Sequence, residues 1–130
     1  MKFGYTIVYV PDVAASLDFF AHAFNLRRRF FHESGEYGEL ETGETTLGFA
    51  RHELAMTHFP GGYVGAHNST KPLGMEIALV TADVAAAHRH AIAAGASELA
   101  APPEKPWGQV VSYVRCPDGT LVELCTPIGS

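Results

Sequence analysis

Apolar and polar positions along this chain follow two different periods, and the order of the periods runs through twice. Residues 3–10, FGYTIVYV, are β-branched and aromatic and predict a buried strand. Pro11 and Asp12 end it. Asp12 is a good N-cap, because its carboxylate can accept from a backbone N–H of the next turn. Val13, Leu17, Phe20, Ala21 and Phe24 then fall on one face of a helix predicted over 13–24, with Asn25 as a left-handed stop. Short strands are predicted at 27–32, 37–41 and 45–51, with turns between them at 33–36 and 42–44. Residues 52–72 lose all periodicity and hold Pro60, Gly61, Gly62, Gly65, Asn68, Ser69 and Pro72. They predict an irregular connecting arm, longer than an ordinary loop.

The order then starts again. A strand is predicted at 73–80, Asp83 caps an alanine-rich helix over 84–94, and Gly95 stops it. A short strand at 97–101 and a proline-bounded loop at 102–106 lead to a hairpin of 109–115 and 120–126. The hairpin turns at Pro117-Asp118-Gly119, where proline presets φ, aspartate bonds its own backbone and glycine supplies a positive φ. The pattern is β-α-β-β-β twice, an α+β fold of paired βαβββ modules. We read one domain, 1–130, with module one at 1–52, the arm at 53–72 and module two at 73–130.

The repeat is visible in the letters. Asp12-Val13-Ala14-Ala15 recurs 71 residues later as Asp83-Val84-Ala85-Ala86, and the strand around Gly48 recurs 75 residues later around Glu123. These shifts equate Tyr5 with Glu76 and Gly48 with Glu123. A strand has a period of two, so Ile77, Leu79, Val122, Leu124 and Phe49 face the helices. Tyr5, Tyr9, Gly48, Glu76 and Glu123 point the other way, onto a concave face suited to a ligand.

Composition narrows the classes. A length of 130 residues, 47% hydrophobic and 18% charged, fits a soluble globular chain. A net charge of −5 argues against nucleic acid or an anionic membrane as partner. No apolar run reaches a membrane span and no signal peptide opens the sequence, so the expected location is cytoplasmic. Cys116 and Cys125 would sit roughly 13 Å apart across the hairpin at ~3.3 Å per residue, too far for a disulfide. They read as small buried residues. Among the seven histidines, His88 and His90 are expected to face solvent or a dimer surface, and His58 and His67 to be surface residues of the arm.

The candidate chemistry is acidic. Glu123 lies amid Leu121, Val122, Leu124 and Cys125, where a carboxylate is costly unless paired, protonated or bound to metal. Pairing across the hairpin sets Tyr113 opposite Glu123, with Arg115 as a diagonal neighbour able to neutralise it. Tyr5, Tyr9, Trp107 and Tyr113 are candidate pocket aromatics, with Trp107 expected on the rim. Arg27-Arg28-Arg29 reads as a solvated strand edge. No nucleophilic triad context or phosphate-binding glycine loop is present.

Val10-Pro11-Asp12, Asp18-Phe19-Phe20 with Phe24-Asn25-Leu26, Trp107-Gly108, and Asp118-Gly119 followed by Val122-Glu123-Leu124 carry a resemblance. In this order they resemble the vicinal oxygen chelate superfamily, the glyoxalase/bleomycin-resistance/extradiol-dioxygenase group. The resemblance spans the chain except the arm. It implies curved sheets around a cleft, a homodimer for a chain of this length, and, in the metalloenzymes, a divalent ion held by His, Glu or Gln. The family's four ligand positions fall at Tyr5, Gly48, Glu76 and Glu123, of which only Glu123 keeps the usual residue.

The expected function is therefore binding of a small organic or cationic ligand in an aromatic and acidic cleft of the bleomycin-resistance-like branch, with no metal or other cofactor. Glu76 and Glu123 are the candidate catalytic or orienting acids, and Tyr5, Tyr9, Trp107, Tyr113 and Arg115 the candidate ligand contacts. The rival is a divalent-metal lyase, isomerase or dioxygenase with Glu123 and Glu76 among its metal ligands. A third class is an interaction domain with no ligand at all.

Overall fold

The computed structural model of the protein describes residues 1–104 and 108–128. The chain forms two compact units, Met1–Asn68 and Ser69–Ser130. Each builds a four-stranded sheet with a helix on one face.

In the first unit, β1 (Tyr5–Val10), α1 (Val13–Ala23), β2 (Arg27–Phe31), β3 (Tyr37–Glu41) and β4 (Thr46–Arg51) follow in order. The sheet order is β1-β4-β3-β2, with β1 parallel to β4 and the other neighbours antiparallel. Asp12 caps α1 as expected, accepting from Ala15 N at 3.1 Å. Asn25 takes φ 54° and turns the chain out of the helix. The face of α1 that carries Val13, Leu17 and Phe20 seals onto Val10, Leu40 and Phe49. Phe20 and Phe49 pack with ring centroids 5.0 Å apart, and each such fully buried side chain contributes about 1.5–3 kcal/mol.

The second unit repeats the plan with β5 (Ile77–Val80), α3 (Val84–Ala94), β6 (Ser97–Ala100), β7 (Val111–Arg115) and β8 (Leu121–Cys125). Its sheet order is β5-β8-β7-β6. Asp83 accepts from Ala86 N at 3.0 Å. At the β7–β8 turn Gly119 takes φ 92° and donates to Cys116 O at 2.8 Å, while Thr120 N donates to Asp118. Cys116 and Cys125 are buried free thiols, and Cys125 pairs with Val111 as the hairpin register required. Burial holds the Cys116 thiol far above its ordinary pKa, with the nearby Asp118 charge adding to the effect.

Four expectations change. β1 begins at Tyr5, and it is not buried on both faces: Tyr5 and Ile7 are exposed, because β1 is an edge strand with α1 on one side only. β5 begins at Ile77, so Glu76 stands just ahead of the strand rather than within it. The arm is not irregular: it holds α2 (His52–His58) and a 3-10 turn at Ala66–Asn68, both packed against the first unit. A seven-residue helix is too short to show a hydrophobic period, which is why its sequence looked patternless. His88 is not solvent-facing. It is buried under α3, bonded to Ser112 Oγ at 2.9 Å and to Glu98 at 2.8 Å. No helix among the described residues is long and apolar enough to cross a membrane.

Candidate functional site

The face of the second sheet opposite α3 carries the predicted acids. β8 pairs with β5 and β7 so that Glu123 lies between Ala78 and Tyr113. Tyr113 Oη donates to Glu123 Oε1 at 2.9 Å. Glu76 stands just ahead of β5 and comes close enough to Glu123 to influence it. Desolvation of its carboxyl raises the Glu76 pKa first, then the bond to Glu123 and the charge of Glu123. A neighbouring carboxylate disfavours ionisation of Glu76, as burial does. The Tyr113 hydroxyl is raised chiefly by its bond to Glu123, with burial and the two acid charges behind it. Cys125, two residues along the same strand, is raised by burial and then by Glu123.

Arg115 turns its guanidinium to the backbone. Nε donates to Gly119 O at 3.3 Å, Nη1 to Thr70 O at 3.3 Å and Nη2 to Ser69 O at 2.8 Å. It ties the β7–β8 turn to the start of the unit. Trp107 lies outside the described residues, as does part of the loop before it.

The corresponding face of the first sheet is built differently. Tyr5 is 61% exposed, and Tyr9 packs against Tyr63 and Phe59 with centroids 4.9 and 5.9 Å away. The Gly48 position is filled by the ring of Tyr37, whose hydroxyl donates to Glu39 Oε2 at 2.7 Å. Burial drives the Tyr37 pKa far up, with the bond to Glu39, the Glu39 charge and Tyr5 adding to it.

Beyond Tyr9 the arm closes into a cluster. His52 Nδ1 hydrogen-bonds the Tyr63 hydroxyl, and His52 Nε2 meets His67 Nδ1 at 3.0 Å. Burial holds the His52 pKa down, the His67 charge lowers it further, and Glu53 opposes. His67 is thus half-buried and bonded, not the surface residue its loop context suggested, whereas His58 is exposed.

Tyr37, Glu39, His52 and Tyr63 are the polar residues that sequence reasoning passed over. Tyr37 and Glu39 do alternate on a predicted strand. Their relation to Gly48 depends on the β3–β4 register, in which Glu39 pairs with Gly48.

The four ligand positions of the metalloenzymes thus offer a phenol, a glycine covered by another phenol, and two neighbouring carboxylates. Among the described residues no three His, Cys, Asp or Glu side chains are grouped so as to hold a metal ion. This donor set does not fit a divalent ion of the imidazole-preferring kind.

Paired βαβββ units with an acid on the last strand define a class of protein, and a family model agrees. The chain belongs to the Glyoxalase/Bleomycin resistance protein/Dioxygenase superfamily, whose model matches residues 2–124. Among solved structures it is similar to a glyoxalase-related enzyme from Fulvimarina pelagi, at 22% identity and TM-score 0.78, covering 100% of this chain and 94% of that one. A protein of unknown function from Agrobacterium tumefaciens matches at 24% identity and TM-score 0.75, covering 98% of this chain and 95% of that one. TioX from Micromonospora sp. ML1 matches at 21% identity and TM-score 0.69, covering 97% of this chain and 98% of that one. At these identities the likeness establishes the fold. No curated protein matches the chain significantly.

Proposed function

We propose that this protein binds a small organic cation on the Glu76–Glu123–Tyr113 face of its second unit, in the manner of the bleomycin-resistance-like branch and without the family's divalent metal centre. The observation that carries this reading is the Tyr113–Glu123 bond with a second acid beside it: Tyr113 donates to Glu123 at 2.9 Å, and burial and the neighbouring Glu123 raise the Glu76 pKa. A ligand ammonium can meet both carboxylates at once and compensate their charge. Tyr113 supplies an aromatic flank, and Trp107, just ahead of β7, belongs to the same reading. Tyr5 and Tyr9 give the first unit an aromatic face of its own. We also read the chain as a cytoplasmic protein and as a homodimer; edge strands β1 and β5 expose Tyr5, Ile7 and Val80, which supports the dimer. Sedimentation that returns a monomer would remove that part.

The deciding experiment is calorimetric titration of chelator-treated protein with benzylammonium, alongside metal analysis of protein purified without chelator. Binding should release protons and strengthen as pH rises through the raised Glu76 pKa. Glu123→Gln should weaken it about tenfold or more, the cost of a charge-assisted hydrogen bond. Stoichiometric metal that is lost in Glu123→Gln would overturn the reading in favour of a divalent-metal lyase, isomerase or dioxygenase.

A further inference from the structure

The face of the first sheet opposite α1 holds a second phenol–carboxylate couple. Glu39 in β3 pairs with Gly48 in β4, and Tyr37 lies two residues before Glu39 on the same face. A Cβ at Gly48 would come 2.7 Å from the Tyr37 hydroxyl oxygen and 3.1 Å from ring carbons Cε1 and Cζ, so the ring seats there only over a glycine. The hydroxyl donates to Glu39 Oε2 at 2.7 Å. The other carboxylate oxygen, Oε1, stands 3.8 Å from Arg29 Nε, beyond hydrogen-bond reach. Arg29 sits at the irregular step of β2, between Arg28 and Phe30. Its side chain is 50% exposed, against 15% for Glu39.

The second unit also bonds a phenol to a carboxylate, there across two strands rather than along one. Tyr113 pairs with Glu123 as Glu39 pairs with Gly48. Since Gly48 and Glu123 are equivalent, Glu39 and Tyr113 are equivalent too. The first unit keeps its acid on the third strand of the repeat and the second unit on the fourth, yet a phenol hydroxyl donates to it in both.

We infer that Tyr37 and Glu39 form a second recognition site, on the first unit, for a primary ammonium or guanidinium group. The Tyr37 proton is committed to Glu39, so the couple presents only acceptors: the lone pairs of the phenol oxygen and Glu39 Oε1. Acceptors that carry net negative charge and are largely withdrawn from water suit a donor-rich cation. Arg29 is the built-in competitor, 3.8 Å from Oε1 and too far to bond it. A ligand cation takes the place that Arg29 holds loosely. The site rests on residues of the first unit alone.

The test is a benzylammonium titration of protein carrying 13C at its glutamate carboxyls, at neutral pH and low salt. The Glu39 and Glu123 resonances are assigned by their loss in Glu39→Gln and Glu123→Gln. The Glu39 signal should move saturably. Arg29→Ala should tighten its response about threefold, the scale of an exposed ion pair, and Tyr37→Phe should weaken it. Benzyltrimethylammonium, which has the charge but no N–H donor, should bind this site more weakly. The 1H–15N spectrum of each variant checks that the fold persists. A Glu39 signal that stays fixed while Glu123 responds overturns this site and leaves the acid-pair reading standing. Response at Glu39 alone sustains this site and removes the other, and response at neither removes both. A Glu39 response indifferent to both Arg29→Ala and Tyr37→Phe also overturns the couple.

Discussion

Leu17 in the first unit and His88 in the second occupy the same place in the repeat, 71 residues apart, and fill it by opposite means. Leu17 drops its Cδ1 into the space left by Gly38, where a Cβ would come 2.5 Å from it. The residue equivalent to Gly38 is Ser112, and His88 meets it with a hydrogen bond of 2.9 Å. His88 carries its other nitrogen to Glu98 at 2.8 Å. One helix is therefore anchored by shape and the other by a satisfied polar chain. The inner faces differ in the opposite sense, with two acids in the second unit where the first has a phenol and a glycine. A repeat preserves backbone register, and each side chain then needs only a partner suited to its own position.

The largest effect that would sharpen this contrast is Phe20→Ala. It opens the Phe20–Phe49 contact and should cost about 3–5 kcal/mol in chemical denaturation. The equivalent position in the second unit is already Ala91, which is fully buried. Next comes His88→Leu, which imports the first unit's residue but leaves the Ser112 hydroxyl buried without its partner. It should cost about 1–3 kcal/mol. The double change His88→Leu with Ser112→Gly should cost less than the sum of the two singles. Additive costs in that cycle would break the claim that the two pairs are alternative solutions.

The caps should not discriminate between the units. Asp12→Ala and Asp83→Ala remove the same bond to the third residue on and should each cost about 1 kcal/mol by thermal melting. A difference of more than a factor of two would mean that the helices are not equivalent after all. The smallest effect is Glu76→Gln. A carboxyl whose pKa is raised on folding stabilises fully below its unfolded value, and that stability is lost as pH rises through the folded pKa. Glu76→Gln should therefore flatten the decline above the ordinary carboxylate range. At neutral pH it should raise stability by under about 1 kcal/mol. A decline that persists unchanged would mean that the Glu76 pKa is not raised on folding.

Much of this was legible in the letters. Asp12, Asp83, Asn25 and Gly119 announced caps, stops and turn because their chemistry acts within three or four residues of chain. Shifts of 71 and 75 residues equated Ile7 with Ala78 and Gly48 with Glu123. The registers Ile7 to Gly48 and Ala78 to Glu123 are the same pairing in each sheet. Tyr113 opposite Glu123 followed from the hairpin turn alone. The failures have a common cause. His88 looked solvent-facing because an alanine-rich helix shows little contrast between its faces, and its Ser112 partner is 24 residues away. His67 looked like a surface residue because its partner His52 belongs to a helix too short to show a period. Tyr37 and Glu39 went unremarked because the strand that gives them meaning contributes only the bare backbone of Gly48.

The sequence by itself determined the order of elements outside the arm, their limits to within a few residues, the doubled plan and the face on which Glu123 lies. These depend on propensity, capping and period, which are local and add along the chain. Only the tertiary structure decided which polar groups meet: Glu76 with Glu123, Tyr37 with Glu39 over Gly48, His52 with His67, and Arg115 with backbone carbonyls. A hydrogen bond forms or fails within a few tenths of an ångström, and its partners here come from strands and loops that touch only after the sheets have closed.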